Sequence, residues 1–64
     1  MTPEEIMKGI KEIKKKKRLT QGGLARLFDV DVTYIAYIED GNVGYIPYNI
    51  LTKIEDTIDY LMDL

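Results

Sequence analysis

Residues 19–41 read LTQGGLARLFDVDVTYIAYIEDG, and this stretch decides the fold. Thr20 and Asp31 are residue types that cap the start of a helix, because their side-chain oxygens accept hydrogen bonds from its first free N–H groups. Gly41 is the residue type that most readily adopts the left-handed conformation just past a helix end. The stretch therefore predicts two short helices, one beginning at Thr20 and one spanning residues 31–40.

The connection between these two predicted helices is only about three residues long, which is the geometry of a helix-turn-helix. Ala25 is small enough to let the helices approach closely where they cross. Ile35 and Ile38 have the spacing of an inward helix face. Asp29 tolerates the left-handed backbone that such a turn needs. We therefore interpret the middle of the chain as a helix-turn-helix.

The regions on either side also carry helix signals. Thr2, Pro3 and Glu5 form a capping-box pattern at the start of a first helix. Gly9 interrupts that helix at a cost of about 1 kcal/mol relative to Ala. A last helix is predicted to begin near residues 47–49. The apolar stripes of these two helices are formed by Ile6, Ile10 and Ile13 and by Ile50, Leu51, Ile54, Ile58, Leu61 and Met62.

The predicted fold is all-α. A length of 64 residues is that of one small domain, so residues 1–64 are expected to form a single helix-turn-helix domain. Residues 41–46 are predicted to be loop. We expect a compact bundle of four or five helices, whose thin core would gain stability from a second copy of the chain.

The composition excludes several classes of site. The sequence contains no cysteine and no histidine, which removes thiolate and imidazole metal ligands and the usual base of a catalytic triad. The first residues are acidic, unlike those of a signal peptide. The longest uncharged stretch, residues 41–52, contains glycine, proline and asparagine. We expect a cytoplasmic protein with no membrane partner, no enzyme activity, no catalytic residues, no metal and no cofactor.

The charges are distributed unequally along the chain. Residues 1–28 carry eight basic and three acidic side chains, whereas residues 29–64 carry one basic and eight acidic, which gives the net charge of −2. A basic surface built from the first half is suited to phosphate, and the second half would repel it.

The helix-turn-helix stretch resembles a known family, the lambda-repressor/Cro-type (XRE-like) helix-turn-helix proteins. The match runs in register and without a gap over Leu19-Thr20-Gln21, Leu24-Ala25, Val30, Ile35, Ile38-Glu39 and Gly41. The resemblance implies a lambda-repressor-like DNA-binding domain that acts as a sequence-specific transcriptional regulator. Its partner would be duplex DNA with a palindromic operator, bound by a homodimer at half-sites about 34 Å apart.

In that family the helix corresponding to residues 31–40 lies in the major groove. Val32 is suited to pack on a thymine methyl, and Thr33 and Tyr37 are suited to bond to bases or phosphates. The alternative is a helix face that is merely solvated. The outward residues that match the family's groove-facing positions are Val32, Thr33, Ala36 and Tyr37.

Phosphate contacts are predicted at the start of the second helix and along the basic run. Gln21 lies at a helix N-terminus, which suits a phosphate, or it is simply an exposed first residue. The basic run is either a phosphate contact or a solvated helix end, and its adjacent positions wrap too far round the helix for all to face one ligand. The basic candidates are Lys15, Lys16, Lys17, Arg18 and Arg26.

Two further contacts are predicted away from the DNA. In the family a glutamate at the position of Glu39 pairs with a basic residue of the first helix, and Lys14 occupies that position. The end of the last helix is the expected dimer face, or else ordinary core. Its residues are Tyr60, Leu61, Met62 and Leu64.

The predicted recognition helix lacks the side chains that read bases best. Its outward face carries no Arg, Lys, Asn or Gln, so specific binding would depend on apolar contacts and DNA shape and would be modest and salt-sensitive. An alternative function is a helix-turn-helix scaffold that binds another regulatory protein, as an antirepressor or antitoxin-like partner. The tyrosines suited to that interface are Tyr34, Tyr37, Tyr45 and Tyr48.

Overall fold

The computed structural model describes residues 1–63 and contains four α-helices and one short 3₁₀ helix. No strand is present within the described residues, and their Cα radius of gyration is 10.3 Å. The prediction of a compact all-α fold is confirmed. The elements are α1 (Pro3–Lys17), α2 (Gln21–Phe28), α3 (Val32–Glu39), the 3₁₀ helix (Val43–Tyr45) and α4 (Tyr48–Met62).

The start of α1 is fixed by a reciprocal pair of hydrogen bonds. The Glu5 backbone N–H donates to Thr2 Oγ1 at 3.2 Å, and the Thr2 N–H donates to Glu5 Oε1 at 2.8 Å. These bonds lower the pKa of Glu5. The predicted capping box is therefore confirmed, with Pro3 in the first turn, where its missing N–H costs nothing.

The starts of α2 and α3 are also those that the sequence predicts. Thr20 Oγ1 accepts from the Gly23 N–H at 3.1 Å, and Asp31 Oδ1 accepts from the Thr33 N–H at 2.9 Å. Between the two helices the chain turns through Asp29, which has a left-handed backbone with φ 56° and ψ 49°. Three residues therefore suffice to connect α2 to α3.

The end of α3 lies one residue before the predicted boundary. Glu39 is its last helical residue, Asp40 is the cap, and Gly41 follows with φ +82°. Glycine adopts this backbone conformation without the steric penalty that a Cβ atom imposes. The predicted loop at residues 41–46 contains the 3₁₀ helix, which was not predicted from the sequence.

The core is formed by one apolar face from every helix. Ile35 and Ile38 have no exposed surface, so the predicted inward face of α3 is confirmed. The predicted stripe of α4 is buried at Ile54 and Ile58 but leaves Met62 53% exposed. The buried residues are Ile6, Ile10, Ile13, Leu24, Ala25, Phe28, Ile35, Ile38, Val43, Ile46, Ile54 and Ile58.

The contact between α1 and α4 depends on a glycine. Gly9 is buried, and a Cβ atom placed on it would lie 2.9 Å from Cγ2 of Ile58. Real Cβ atoms essentially never approach another atom that closely. Gly9 is therefore a packing residue, in addition to being the weak helix former that the sequence indicates.

The helices of residues 1–63 include none that combines the length and the apolar character needed to cross a bilayer. The longest helices, α1 and α4, have 15 residues each, and a spanning helix needs roughly 20 apolar residues. The predicted dimer-face residue Leu64 lies outside the described part of the chain.

Candidate nucleic-acid interface

The outer side of α3 carries the four residues predicted to face a DNA groove. Val32 is 43% exposed and Thr33 is exposed, whereas Ala36 and Tyr37 are half-buried. The structure thus brings these residues to one helix surface, with the first turn of α3 more accessible than the second. Val32 and Thr33 are the members of the set that a ligand can reach most freely.

Tyr37 is half-buried because it packs against two other tyrosines. Its ring lies edge-to-face on Tyr45 with the centroids 5.6 Å apart and on Tyr34 with the centroids 6.5 Å apart. These rings line a shallow groove along the flank of α3. We call it the tyrosine groove, and its residues are Asp31, Thr33, Tyr34, Tyr37, Tyr45 and Pro47.

The tyrosine groove carries a negative charge. The hydrogen bond from the Thr33 N–H to Asp31 lowers the pKa of this carboxyl, so Asp31 is ionised at neutral pH. No Lys or Arg among residues 1–63 forms an ion pair with it. This part of the surface therefore attracts cations and repels phosphate.

Gln21 is exposed at the first position of α2, directly after the Thr20 cap. Arg18 lies three residues earlier with a left-handed backbone, φ 55°, and is also exposed. Gln21 and Arg18 are therefore exposed residues at and just before the N-terminal end of α2. Helix N-termini favour anions.

The basic run of α1 does not present one surface. Lys14 turns toward α3, where its Nζ lies 2.9 Å from Oε2 of Glu39. Lys16 and Lys17 line a different groove, together with Leu61 and Met62 at the end of α4. The structure confirms the predicted pair of Lys14 with Glu39, but it brings Lys16 and Lys17 beside α4 and not beside the tyrosine groove.

The remaining basic candidates are exposed. Lys15 follows Lys14 on α1, and Arg26 lies in the last turn of α2. Neither takes part in an ion pair within residues 1–63. Both side chains are therefore available to an anionic partner.

Two lysines outside the predicted set of contacts lie near the C-terminal end of α3. Lys8 and Lys11 line a groove with Met7, Ile38 and Glu39. Lys11 precedes Lys14 by three residues, and side chains three apart lie on the same helix face. Because Lys14 was predicted to contact α3, the position of Lys11 near α3 could have been predicted as well.

A second unpredicted contact holds the turn between α2 and α3. Lys53 of α4 donates to the Asp29 backbone carbonyl at 2.7 Å and to its Oδ2 at 2.9 Å. The bond and charge of Lys53 lower the pKa of Asp29. Lys53 is the one basic residue of residues 29–64. Its bonds link α4 to the turn that precedes α3.

Comparison with known proteins provides no precedent for this site. No protein-family model matches the chain, and neither the curated proteins nor the solved structures include a match to it. The resemblance of residues 19–41 to the lambda-repressor/Cro-type pattern therefore rests on the residues of this chain alone.

Proposed function

We propose that this protein is a DNA-binding transcriptional regulator with a lambda-repressor-like helix-turn-helix, in which α3 enters the major groove. One observation carries the proposal: α2 and α3 are eight-residue helices joined by three residues, and the outer first turn of α3 is accessible. Lys53 holds the turn and Lys14 holds the end of α3. Because Ile35 and Ile38 also bury the inner face of α3, the helix meets a groove without losing much freedom.

The proposed contacts follow from the chemistry of the exposed side chains. Val32 packs on a thymine methyl, and the Thr33 hydroxyl bonds to a base edge. Gln21 and Arg18, at the start of α2, bond to the backbone of the same duplex. Because α3 offers no bidentate base contact, sequence preference depends on apolar contacts and on DNA shape.

The proposed DNA-bound state is a homodimer on a palindromic site. Tyr60 and Met62 at the end of α4 are 67% and 53% exposed, and large exposed apolar side chains are suited to a subunit interface. A two-fold dimer would place its two α3 helices in successive major grooves, about 34 Å apart.

Fluorescence anisotropy tests this proposal with labelled duplexes of random sequence, at low salt and then along a salt series. We expect binding whose log affinity falls linearly with log salt concentration, because phosphate neutralisation releases counterions. The matched variant is Val32→Asp, which adds a charge at an exposed position of α3 and should abolish binding. Absence of binding by the folded protein at low salt would exclude DNA as the partner.

A second candidate function is protein binding through the same surface. The observation in its favour is the tyrosine groove, which combines three aromatic rings with the charge of Asp31, a carboxylate that no Lys or Arg of residues 1–63 pairs with. Tyrosine is enriched at protein interfaces, and a carboxylate beside α3 opposes DNA. Charge reversal separates the two functions, because Lys15→Glu with Arg18→Glu should abolish DNA binding and leave a protein partner bound.

A further inference from the structure

We propose that the tyrosine groove binds an arginine side chain of a partner protein. The inference names the partner chemistry of the second candidate function and rests on that candidate, not on DNA binding. It starts from an arrangement that a DNA-reading helix does not require: three tyrosine rings and a carboxylate in one groove on the flank of α3.

The rings are held in an arrangement that cannot cover every aromatic face. Tyr37 meets Tyr45 at an interplanar angle of 89° and Tyr34 at 62°, and in an edge-to-face contact only one of the two rings has a face covered by the other. Tyr45 is 70% exposed. Its backbone is nevertheless fixed, because it ends a 3₁₀ helix whose first residue, Val43, is buried, as is Ile46, which follows the helix.

The charge beside the rings determines the sign of the charge that a ligand of the tyrosine groove should carry. Asp31 Oδ1 accepts from the Thr33 N–H at 2.9 Å, and no Lys or Arg within residues 1–63 forms an ion pair with this carboxylate. An aromatic face attracts a cation through its quadrupole. Rings and carboxylate therefore favour the same kind of ligand, a positively charged group.

Among cationic side chains, arginine fits this groove best. Its guanidinium is planar and weakly hydrated, so it stacks on tyrosine while its N–H groups bond to a carboxylate. An ammonium is a compact, strongly hydrated charge and loses more solvation in an aromatic groove. A DNA phosphate would be repelled by Asp31, which makes the duplex the less favourable occupant of this particular groove.

The test uses two blocked peptides and the ¹⁵N-labelled full chain. One peptide is Gly-Arg-Gly, and the other carries citrulline, which has nearly the same shape but no charge. Two-dimensional NMR titration should show chemical-shift changes centred on Thr33, Tyr37 and Tyr45. We expect the citrulline peptide to bind at least about fivefold more weakly, the effect of a lost cation–π contact and ion pair at an exposed site.

Two variants localise the effect. Asp31→Asn removes the charge and keeps a good helix cap, and Tyr45→Leu removes one ring from an exposed position. Each should weaken arginine binding about fivefold, whereas Asp59→Asn on α4, which removes the same charge elsewhere, should leave it unchanged. Retained amide dispersion in the spectra shows that each variant is folded.

Two outcomes overturn the inference. Equal binding of the arginine and citrulline peptides would show that the groove does not recognise charge. Shifts at Tyr37 and Tyr45 caused by random duplex DNA, without any response to the arginine peptide, would assign the groove to DNA. Because the peptide titration contains no DNA, its failure leaves the anisotropy test of the regulator function standing on its own.

Discussion

The ammonium of Lys14 lies 2.9 Å from Oε2 and 3.3 Å from Oε1 of Glu39, which joins the last turn of α1 to the last residue of α3. The two side chains are 32% and 29% exposed. Partial exposure means that solvent screens the attraction. The pair therefore serves mainly to orient α3, and its contribution to stability is small.

A double-mutant cycle measures this pair. Lys14→Met and Glu39→Gln should each lower the free energy of unfolding by about 0.5–1 kcal/mol. The double variant should lose less than the sum of the two, because the second substitution has no interaction left to remove. Urea unfolding followed by circular dichroism gives the values. Strict additivity would show that the two side chains do not interact.

Gly9 is predicted to resist substitution. Gly9→Ala places a Cβ atom 2.9 Å from Cγ2 of Ile58, whose side chain is only 3% exposed and has little room to move. Overpacking of this kind typically costs about 1–3 kcal/mol, and the gain in helix propensity is only about 1 kcal/mol. We expect a net loss of stability in urea unfolding.

Gly22 is the matched control for that substitution. It also lies in a helix, but its added Cβ would meet only Oγ1 of Thr20, at an ordinary 3.9 Å. Gly22→Ala should therefore stabilise the protein by up to about 1 kcal/mol. If both substitutions raised stability, helix propensity and not the contact with Ile58 would govern position 9.

The contrast between these glycines shows how far the sequence can predict this molecule. The caps at Thr2, Thr20 and Asp31 were predictable because each depends on residues at most three positions away. Helical period likewise predicted the burial of Ile35 and Ile38. Nothing in a local pattern distinguishes Gly9 from Gly22, since the difference is made by α4.

The candidate site was less predictable for the same reason. The outward position of Val32 and Thr33 could be predicted from the helical period of α3 alone. The contact of Lys53 with Asp29 spans 24 positions, and the packing of Tyr37 on Tyr45 depends on a 3₁₀ helix without a clear sequence signal. The resemblance predicted the Lys14–Glu39 pair, but it could not show that Lys16 and Lys17 lie beside α4.

Stability should fall in acid. Glu5, Asp29 and Asp31 all have a pKa below the ordinary value, because Thr2, Lys53 and the Thr33 N–H respectively bond to the charged forms. A lowered pKa in the folded state contributes stability that is complete above the ordinary pKa of about 4 and is lost as pH falls through the folded value. Urea midpoints should therefore change little through these groups between about pH 5 and 7 and decline below about pH 4.

The variant carrying both Asp29→Asn and Asp31→Asn should have a shallower acid decline, since two of the three groups no longer titrate. At pH 7 the Asp31→Asn change alone should have little effect, because asparagine caps helices as well as aspartate does. If the stability of this variant fell as steeply in acid as that of the parent protein, the protons whose binding destabilises the fold would be taken up by other carboxylates.

The salt dependence of DNA binding should distinguish Arg18 from Lys17, although the two are adjacent in sequence. Arg18 lies three residues before Gln21 at the start of α2, whereas Lys17 lines the groove beside Leu61 and Met62. Arg18→Asn keeps a residue that tolerates the left-handed backbone, φ 55°. We expect it to lower the slope of log affinity against log salt by about 1, the effect of one lost phosphate contact.

Lys17→Gln also removes one positive charge, at the preceding position. It should leave the slope of log affinity against log salt unchanged, because the Lys17 side chain lies toward α4. Anisotropy titrations of both variants at several salt concentrations give the slopes, and circular dichroism checks that the helices are intact. Equal slopes for the two variants would mean that the duplex attracts the basic run as a diffuse charge. A lower slope for Lys17→Gln alone would place the DNA on the α1–α4 side of the molecule, away from α3.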